Sequence, residues 1–130
     1  MIIVDSSVWI SFFASVPTPQ VDVLTSISDR TQILVGDVVM LEVLRGAKTE
    51  RAARQIEEDL RRFDVARMLD AGIAAQAARN YRALRGEGIT IRNSVDLIIG
   101  TYCIEHDHQL LYRDRDFDQM RRLGLKAYRG

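Results

Sequence analysis

The 130-residue sequence predicts an α/β fold in which a parallel sheet carries helices on both faces. Three observations lead there. The apolar runs Ile2-Ile3-Val4, Ile33-Leu34-Val35 and Leu110-Leu111-Tyr112 are short and continuous, as strands covered on both faces are. The apolar period between these runs changes to that of helices. Each run is closed by acidic or turn residues, Asp5, Gly36-Asp37 and Asp114, that stand where a helical stretch begins.

In chain order, Met1 to Val4 run into Asp5, and Ser6 or Ser7 can cap the helix behind it. Trp9, Phe12 and Phe13 give that helix an apolar face, and it ends before Pro17 because proline disfavours helix in the preceding residue. Pro17 to Pro19 reads as a turn, and Val21, Leu24 and Ile27 predict a second helix ending near Ser28-Asp29. After the strand Ile33 to Val35, Asp37 is the expected cap of a helix from Val38 to Arg45, with Gly46 as its stop. Lys48 to Arg62 is a helix whose apolar stripe is narrow (Ala52, Ala53, Ile56, Leu60) and whose mixed charges mark a solvated face. A short strand around Phe63 to Val65 follows. Asp70 caps a long helix carrying Ile73, Ala77, Tyr81 and Leu84 on one side, and Gly86-Glu87-Gly88 breaks it. Asn93-Ser94 caps the next, from Val95 to about His106, which is apolar nearly all round and therefore belongs in the domain centre. Gln109 to Tyr112 is a strand, Asp116 to Arg122 a short helix and Leu125 to Tyr128 an edge strand.

The chain length predicts one domain spanning residues 1–130. No apolar run approaches the roughly 20 residues that span a bilayer, so no membrane association is expected. The apolar start lacks a basic region and ends in an acid, which argues against a secretory leader. Cys103 is the only cysteine and fits a reducing cytoplasm. Net charge is zero, so composition carries no electrostatic case for nucleic acid, although 16 of the 18 basic residues are arginine, the side chain suited to phosphate. Codon bias explains that count equally well.

Several acids stand where surface charges do not belong. Asp5 ends a buried strand, Glu42 interrupts an apolar helix, Asp96 lies in the first turn of the most apolar helix, and Asp114 and Asp116 follow a strand directly. A buried charge is costly unless it is paired or metal-bound. Each acid has an ordinary explanation: capping for Asp5 and Asp116, the helix dipole for Asp96, pairing with Arg45 for Glu42, a turn for Asp114. None of these explains convergence. A parallel sheet brings Asp5, Asp114 and Asp116 to one edge, and the helix opened by Ser94-Val95-Asp96 can bring Asp96 there too. Oxygen-only donors of this kind suit Mg²⁺ or Mn²⁺ better than zinc. His106 and His108, in the polar run after the same helix, read as an ordinary loop rather than a metal pair.

Four segments carry a family resemblance: Ile3-Val4-Asp5-Ser6-Ser7-Val8-Trp9-Ile10, Glu42-Val43-Leu44-Arg45-Gly46, Ser94-Val95-Asp96-Leu97-Ile98-Ile99 and Arg113-Asp114-Arg115-Asp116-Phe117. In that order and spacing the chain resembles the PIN-domain ribonucleases over its full length, and among them the VapC toxins of toxin–antitoxin pairs. The resemblance implies a three-layer α/β/α sandwich with a mostly parallel sheet of four or five strands. It implies an endoribonuclease that uses one or two Mg²⁺ or Mn²⁺ ions and leaves 5′-phosphate and 3′-hydroxyl ends. Asp5 and Asp96 would be the central ligands, Glu42 a ligand or water-positioning base, and Asp116 the fourth acid. Asp114 would bind a second ion or only shape the site. Ser7 and Ser94 would orient the carboxylates, and Arg45, Arg113 and Arg115 would hold the RNA backbone. The partners implied are a second copy of the chain and a cognate VapB-type antitoxin, in a heterotetramer or larger complex, with Trp9, Phe12 and Phe13 serving either that antitoxin or the core.

Two other functions share parts of this pattern. A phospho-receiver domain needs a lysine closing a late strand and an aspartate closing a central one; the only lysines are Lys48 and Lys126, and no mid-chain strand ends in aspartate. A catalytically silent PIN-fold binding module has no need of the complete acid set.

Overall fold

A computed structural model describes residues 1–130 and contains a five-stranded, wholly parallel sheet with seven α-helices. The strands are β1 (Ile2–Val4), β2 (Ile33–Gly36), β3 (Asp64–Ala66), β4 (Gln109–Leu111) and β5 (Lys126–Ala127), in the order β3-β2-β1-β4-β5. Ile2 and Ile3 pair with Ile33 and Leu34 on one side, and Ile2 to Val4 pair with Gln109 to Leu111 on the other. Both neighbours of β1 are thus buried strands, which is why its three residues are apolar on both faces.

The helices are α1 (Ser6–Phe13), α2 (Pro19–Ser26), α3 (Asp37–Arg45), α4 (Glu50–Leu60), α5 (Ala71–Gly86), α6 (Ser94–Glu105) and α7 (Arg115–Met120). Connections from β1 to β2 to β3 run outward in one direction, and those from β3 to β4 to β5 run in the other. Right-handed crossovers therefore put α1 to α4 on one face and α5 to α7 on the opposite face, the expected sandwich. Packing agrees: α1 touches α2 and α3, while α6 touches α5 and α7. The direction reverses between β1 and β4, and the crevice at their carboxyl ends is the switch point where such sheets bind ligands.

Three local expectations change. Pro19 does not complete a turn; it is the first residue of α2, where its missing N–H costs nothing, and the Thr18 hydroxyl caps the helix by accepting from Val21 N–H at 3.0 Å. Asp37 is not the cap of α3 but its first residue, and Gly36 caps without a side-chain bond. At the start of α1 neither Ser6 nor Ser7 is the cap; Asp5 is.

The core joins both layers. α6 lies at its centre as its composition demands, with Ile99, Thr101 and Cys103 fully buried. Burial raises the Cys103 thiol well above its usual range, so this cysteine is an inert core group. Trp9 is buried and stacks on Phe13 at 5.8 Å, so it serves the core, whereas Phe12 is exposed. Gly100, one turn beyond Asp96, lies against Met120, and a Cβ there would overlap the methionine thioether. That close approach draws α7, and with it Asp116, onto α6. No helix is long and apolar enough to cross a membrane.

Candidate metal centre

β1 is rigid because it is buried and paired on both sides, and its end is pinned further: the Asp5 N–H donates to the Leu111 carbonyl at 2.9 Å. Asp5 is 3% exposed. Its two carboxylate oxygens have different surroundings. Oδ2 accepts from the Ser7 hydroxyl at 2.7 Å and from the Ser7 N–H at 3.3 Å, so Asp5 caps α1 through one oxygen and leaves the other to different surroundings. Oδ1 is buried with no hydrogen-bond partner. A buried carboxylate oxygen without a donor is costly unless a cation or a proton meets it.

The same register that pins Asp5 brings the end of β4 beside it. Asp114, three residues beyond β4, caps α7 by accepting from the Asp116 N–H at 2.9 Å, so Asp116 is not the cap of that helix. Asp96 arrives from the first turn of α6, which Asn93 caps. One carboxylate oxygen from each of Asp96, Asp114 and Asp116 lies within 4.8 Å of the others, a spacing that one cation can bridge. Asp96 is buried, Asp116 half-buried and Asp114 exposed, so the cluster opens outward from α6.

Asp5 and Glu42 stand outside that group of three, Glu42 on α3. Glu42 does not pair with Arg45, one turn on; the Ser6 hydroxyl donates to its Oε1 at 2.7 Å. Ser6 and Ser7, consecutive in α1, thus hold one acid each. The Ser6 to Glu42 bond spans 36 residues, and no local pattern announces it. Ser94, expected to orient a carboxylate, is exposed at the start of α6 and bonds to none of them.

Electrostatics couples all five acids. Burial pushes the Asp96 carboxyl up to about 7, and the charges of Asp5, Asp114, Glu42 and Asp116 add to the rise. Burial likewise raises Asp5, against the bonds from Ser7, and Glu42 raises it further. Two carboxyls held above their ordinary range are the mark of acids crowded without counter-charge. The residues fit a hard divalent cation: an all-oxygen donor set, three oxygens in one small volume, and an orphaned buried oxygen on an acid whose charge Asp96 feels.

The arginines flank this cluster. Arg45 is exposed at the end of α3, Arg115 is exposed at the start of α7, and the Arg113 guanidinium donates to the Ser11 hydroxyl at 3.4 Å. None forms an ion pair with an acid. His106 and His108 lie beyond the opposite end of α6, where the Met1 amino group is 3.2 Å from His108 Nδ1; they take no part in the cluster.

The sequence model of the PIN domain matches residues 2–123. The chain is 30% identical over 126 residues to the VapC ribonuclease Mb1587 of Mycobacterium bovis and, equally, to ribonuclease VapC11 of Mycobacterium tuberculosis, covering 95% of this chain and 93% of theirs. Among solved structures it resembles a VapBC2 complex from Rickettsia felis bound to promoter DNA, with a TM-score of 0.77 and 17% identity over 98% of each chain. VapBC-1 of nontypeable Haemophilus influenzae (TM-score 0.76, 18% identity) covers 98% of this chain and 97% of its own. These two structures speak for the fold. With a family match over nearly the whole chain and relatives at 30% identity, this chain belongs to the PIN domain family, in its VapC ribonuclease branch.

Proposed function

We propose that the protein is an Mg²⁺- or Mn²⁺-dependent endoribonuclease of the cytoplasm, the toxin of a toxin–antitoxin pair, in which Asp5, Glu42, Asp96, Asp114 and Asp116 hold one or two ions. The observation that carries this reading is the Asp5 Oδ1 atom, buried and partnerless at the switch point beside three convergent carboxylates. The names of the mycobacterial relatives support ribonuclease activity, and the complexes among the structural neighbours support a VapB-type antitoxin as partner. When bound, the ion lowers the pKa of water and offsets charge on the phosphoryl and leaving oxygens.

The chain's own groups do the rest. Ser7 fixes the Asp5 carboxylate by holding one oxygen, which leaves the other aimed for a ligand. Ser6 fixes Glu42, leaving its second oxygen to orient the attacking water. The rigid end of β1 and the first turn of α6 keep Asp5 and Asp96 in place, so positioning rather than covalent chemistry is the protein's contribution. Arg45, Arg113 and Arg115 are free to neutralise the RNA backbone. A second copy and the antitoxin complete the assembly, and the exposed Phe12 offers the antitoxin an apolar contact.

The test is cleavage of total RNA by the purified chain with Mg²⁺ or Mn²⁺, and its loss on chelation and in Asp96→Asn. Expression without the antitoxin should arrest growth, and the same substitution should relieve the arrest. Undiminished cleavage by folded Asp96→Asn protein rejects the site. A wild type that cleaves RNA yet leaves growth unaffected rejects the toxin role.

A further inference from the structure

The carboxyl edge of the sheet has a second concavity, one strand outward from the acids. A cavity of about 290 Å³ is lined by Tyr112 and Arg113 beyond β4, Tyr128 and Arg129 beyond β5, and Gln20 in the first turn of α2. The parallel strands β4 and β5 deliver the two tyrosines and two arginines to the edge that carries Asp5 and Asp114. Arg113 and Asp114 are consecutive, so the cavity and the cluster share a wall. Tyr128 is held in register by its N–H, which donates to the Leu110 carbonyl at 2.8 Å.

The charges here are uncommitted. Arg113 and Arg129 are exposed and neither is paired with an acid. The only hydrogen bond either guanidinium makes to a side chain is the 3.4 Å one from Arg113 to Ser11. Asp118 also lines the cavity and accepts from the Tyr112 hydroxyl at 2.6 Å, so against its one negative charge the two guanidinium groups leave the cavity net positive. Arg129 lines the same cavity wall as Tyr112 and Tyr128.

Guanidinium groups suit phosphate, and an aromatic ring suits an unstacked base. A strand whose scissile phosphate lies at the acids must lead its neighbouring phosphates across adjoining surface. A cavity of this size admits one unstacked base rather than a duplex groove. We propose that this cavity is a nucleotide subsite for single-stranded RNA next to the scissile phosphate, with Tyr128 against the base and Arg113 and Arg129 on the backbone. The subsite deepens the ribonuclease reading and rests on it.

The experiment measures fluorescence anisotropy of a labelled single-stranded oligoribonucleotide of mixed sequence, in the Asp96→Asn background so that binding is read without cleavage. Tyr128→Ala should weaken binding roughly tenfold while Tyr128→Phe keeps it, as stacking requires. Arg113→Ala and Arg129→Ala should each flatten the slope of log affinity against log salt by about 0.7. If Tyr128→Ala does not fold, Arg129→Ala, an exposed change, carries the test. Unchanged affinity and slope in the folded variants overturn the subsite, as does a duplex bound as tightly as the single strand. Unchanged RNA binding together with weakened association of a protein partner in Arg129→Ala assigns the cavity to that partner, and also overturns it. Cleavage by the wild type tests the ribonuclease reading separately. Cleavage with normal binding by the variants removes the subsite alone, whereas a wild type that cuts no RNA removes both.

Discussion

Asp5 and Asp37 begin as the same feature. Each follows a short buried strand, β1 or β2, and each stands at the start of a helix on the same edge of the same sheet. Their fates differ. Asp37 is exposed, and its Oδ1 accepts from the Val38 N–H at 2.8 Å and from the Met68 N–H at 3.1 Å, tying the loop after β3 to the start of α3. Asp5 is buried, keeps one oxygen on Ser7 and leaves the other without a donor. The acid at β2 is satisfied by the fold, and the acid at β1 keeps one oxygen that no donor of the fold reaches. What separates them is the strand order: β1 lies at the switch point beside β4, where the charge of Asp5 is felt by Asp96, and no donor reaches its Oδ1.

The contrast can be broken most decisively by exchanging charge for amide at both places. Asp5→Asn should lower cleavage by about 10²- to 10³-fold or more, the scale of losing part of a metal's charge stabilisation. Asp37→Asn should stay within a few-fold. Equal losses measured on the same RNA would show that both acids serve the chemistry.

Cation binding should appear as stability. At a concentration 100 times its dissociation constant, Mg²⁺ or Mn²⁺ should add about 2.7 kcal/mol, read as a rise in Tm. Asp96→Asn should abolish that rise and Asp37→Asn should not. A rise that survives in Asp96→Asn would place the ion elsewhere.

Position can be separated from ligation with the serines. Ser7→Ala, which leaves Asp5 Oδ2 with the longer backbone N–H bond alone, should reduce activity by about 10- to 100-fold, measured with cation titration so that weakened affinity is distinguished from slower turnover. Ser94→Ala touches no acid and should have little effect; a loss as large as that of Ser7→Ala would contradict the geometry.

The smaller effects concern stability without cation, and here the two acids should differ in sign. Asp37→Ala orphans the Met68 N–H and should cost about 1 to 3 kcal/mol, whereas Asp5→Asn should leave stability unchanged or higher because it removes a buried charge. For the pH dependence, Asp96 has an ordinary value of 3.8 and a folded value of about 7, so the folded state holds a proton that the unfolded chain releases. The favourable protonation is complete below the lower value and is lost as pH rises through the higher one. Cation-free protein should therefore melt lower at neutral pH than in mild acid, by several degrees, and saturating cation should remove the difference. Calorimetry showing stability rising across that window would reverse the assignment.

Much of this architecture is legible locally. Ile2-Ile3-Val4, Ile33-Leu34-Val35 and Leu110-Leu111 announce buried strands, Asp70 and Asn93 announce helix starts, and the apolar circumference of α6 announces its central place. Asp5, Glu42, Asp96, Asp114 and Asp116 stand out as acids in apolar or strand-end settings. Other assignments depend on distant partners. Asp37 looks like a cap until Met68, 31 residues on, supplies its amide. Glu42 looks paired with Arg45 until Ser6 claims it, and Ser94 looks like a support for Asp96 until the start of α6 leaves it in solvent.

The sequence by itself determined the alternation of strands and helices, the parallel sense of the sheet and the acids available at strand ends. Periodicity, capping and apolar run length are properties of neighbouring residues, and they survive in any reading of the chain. Only the tertiary structure decided that β1 lies between β2 and β4, that Asp5 Oδ1 faces no donor, and that Tyr128 and Arg129 stand beside Arg113. Strand order and side-chain satisfaction depend on groups dozens of residues apart, so the difference between an acid the fold satisfies and one it leaves with a bare oxygen becomes visible only when the chain is folded.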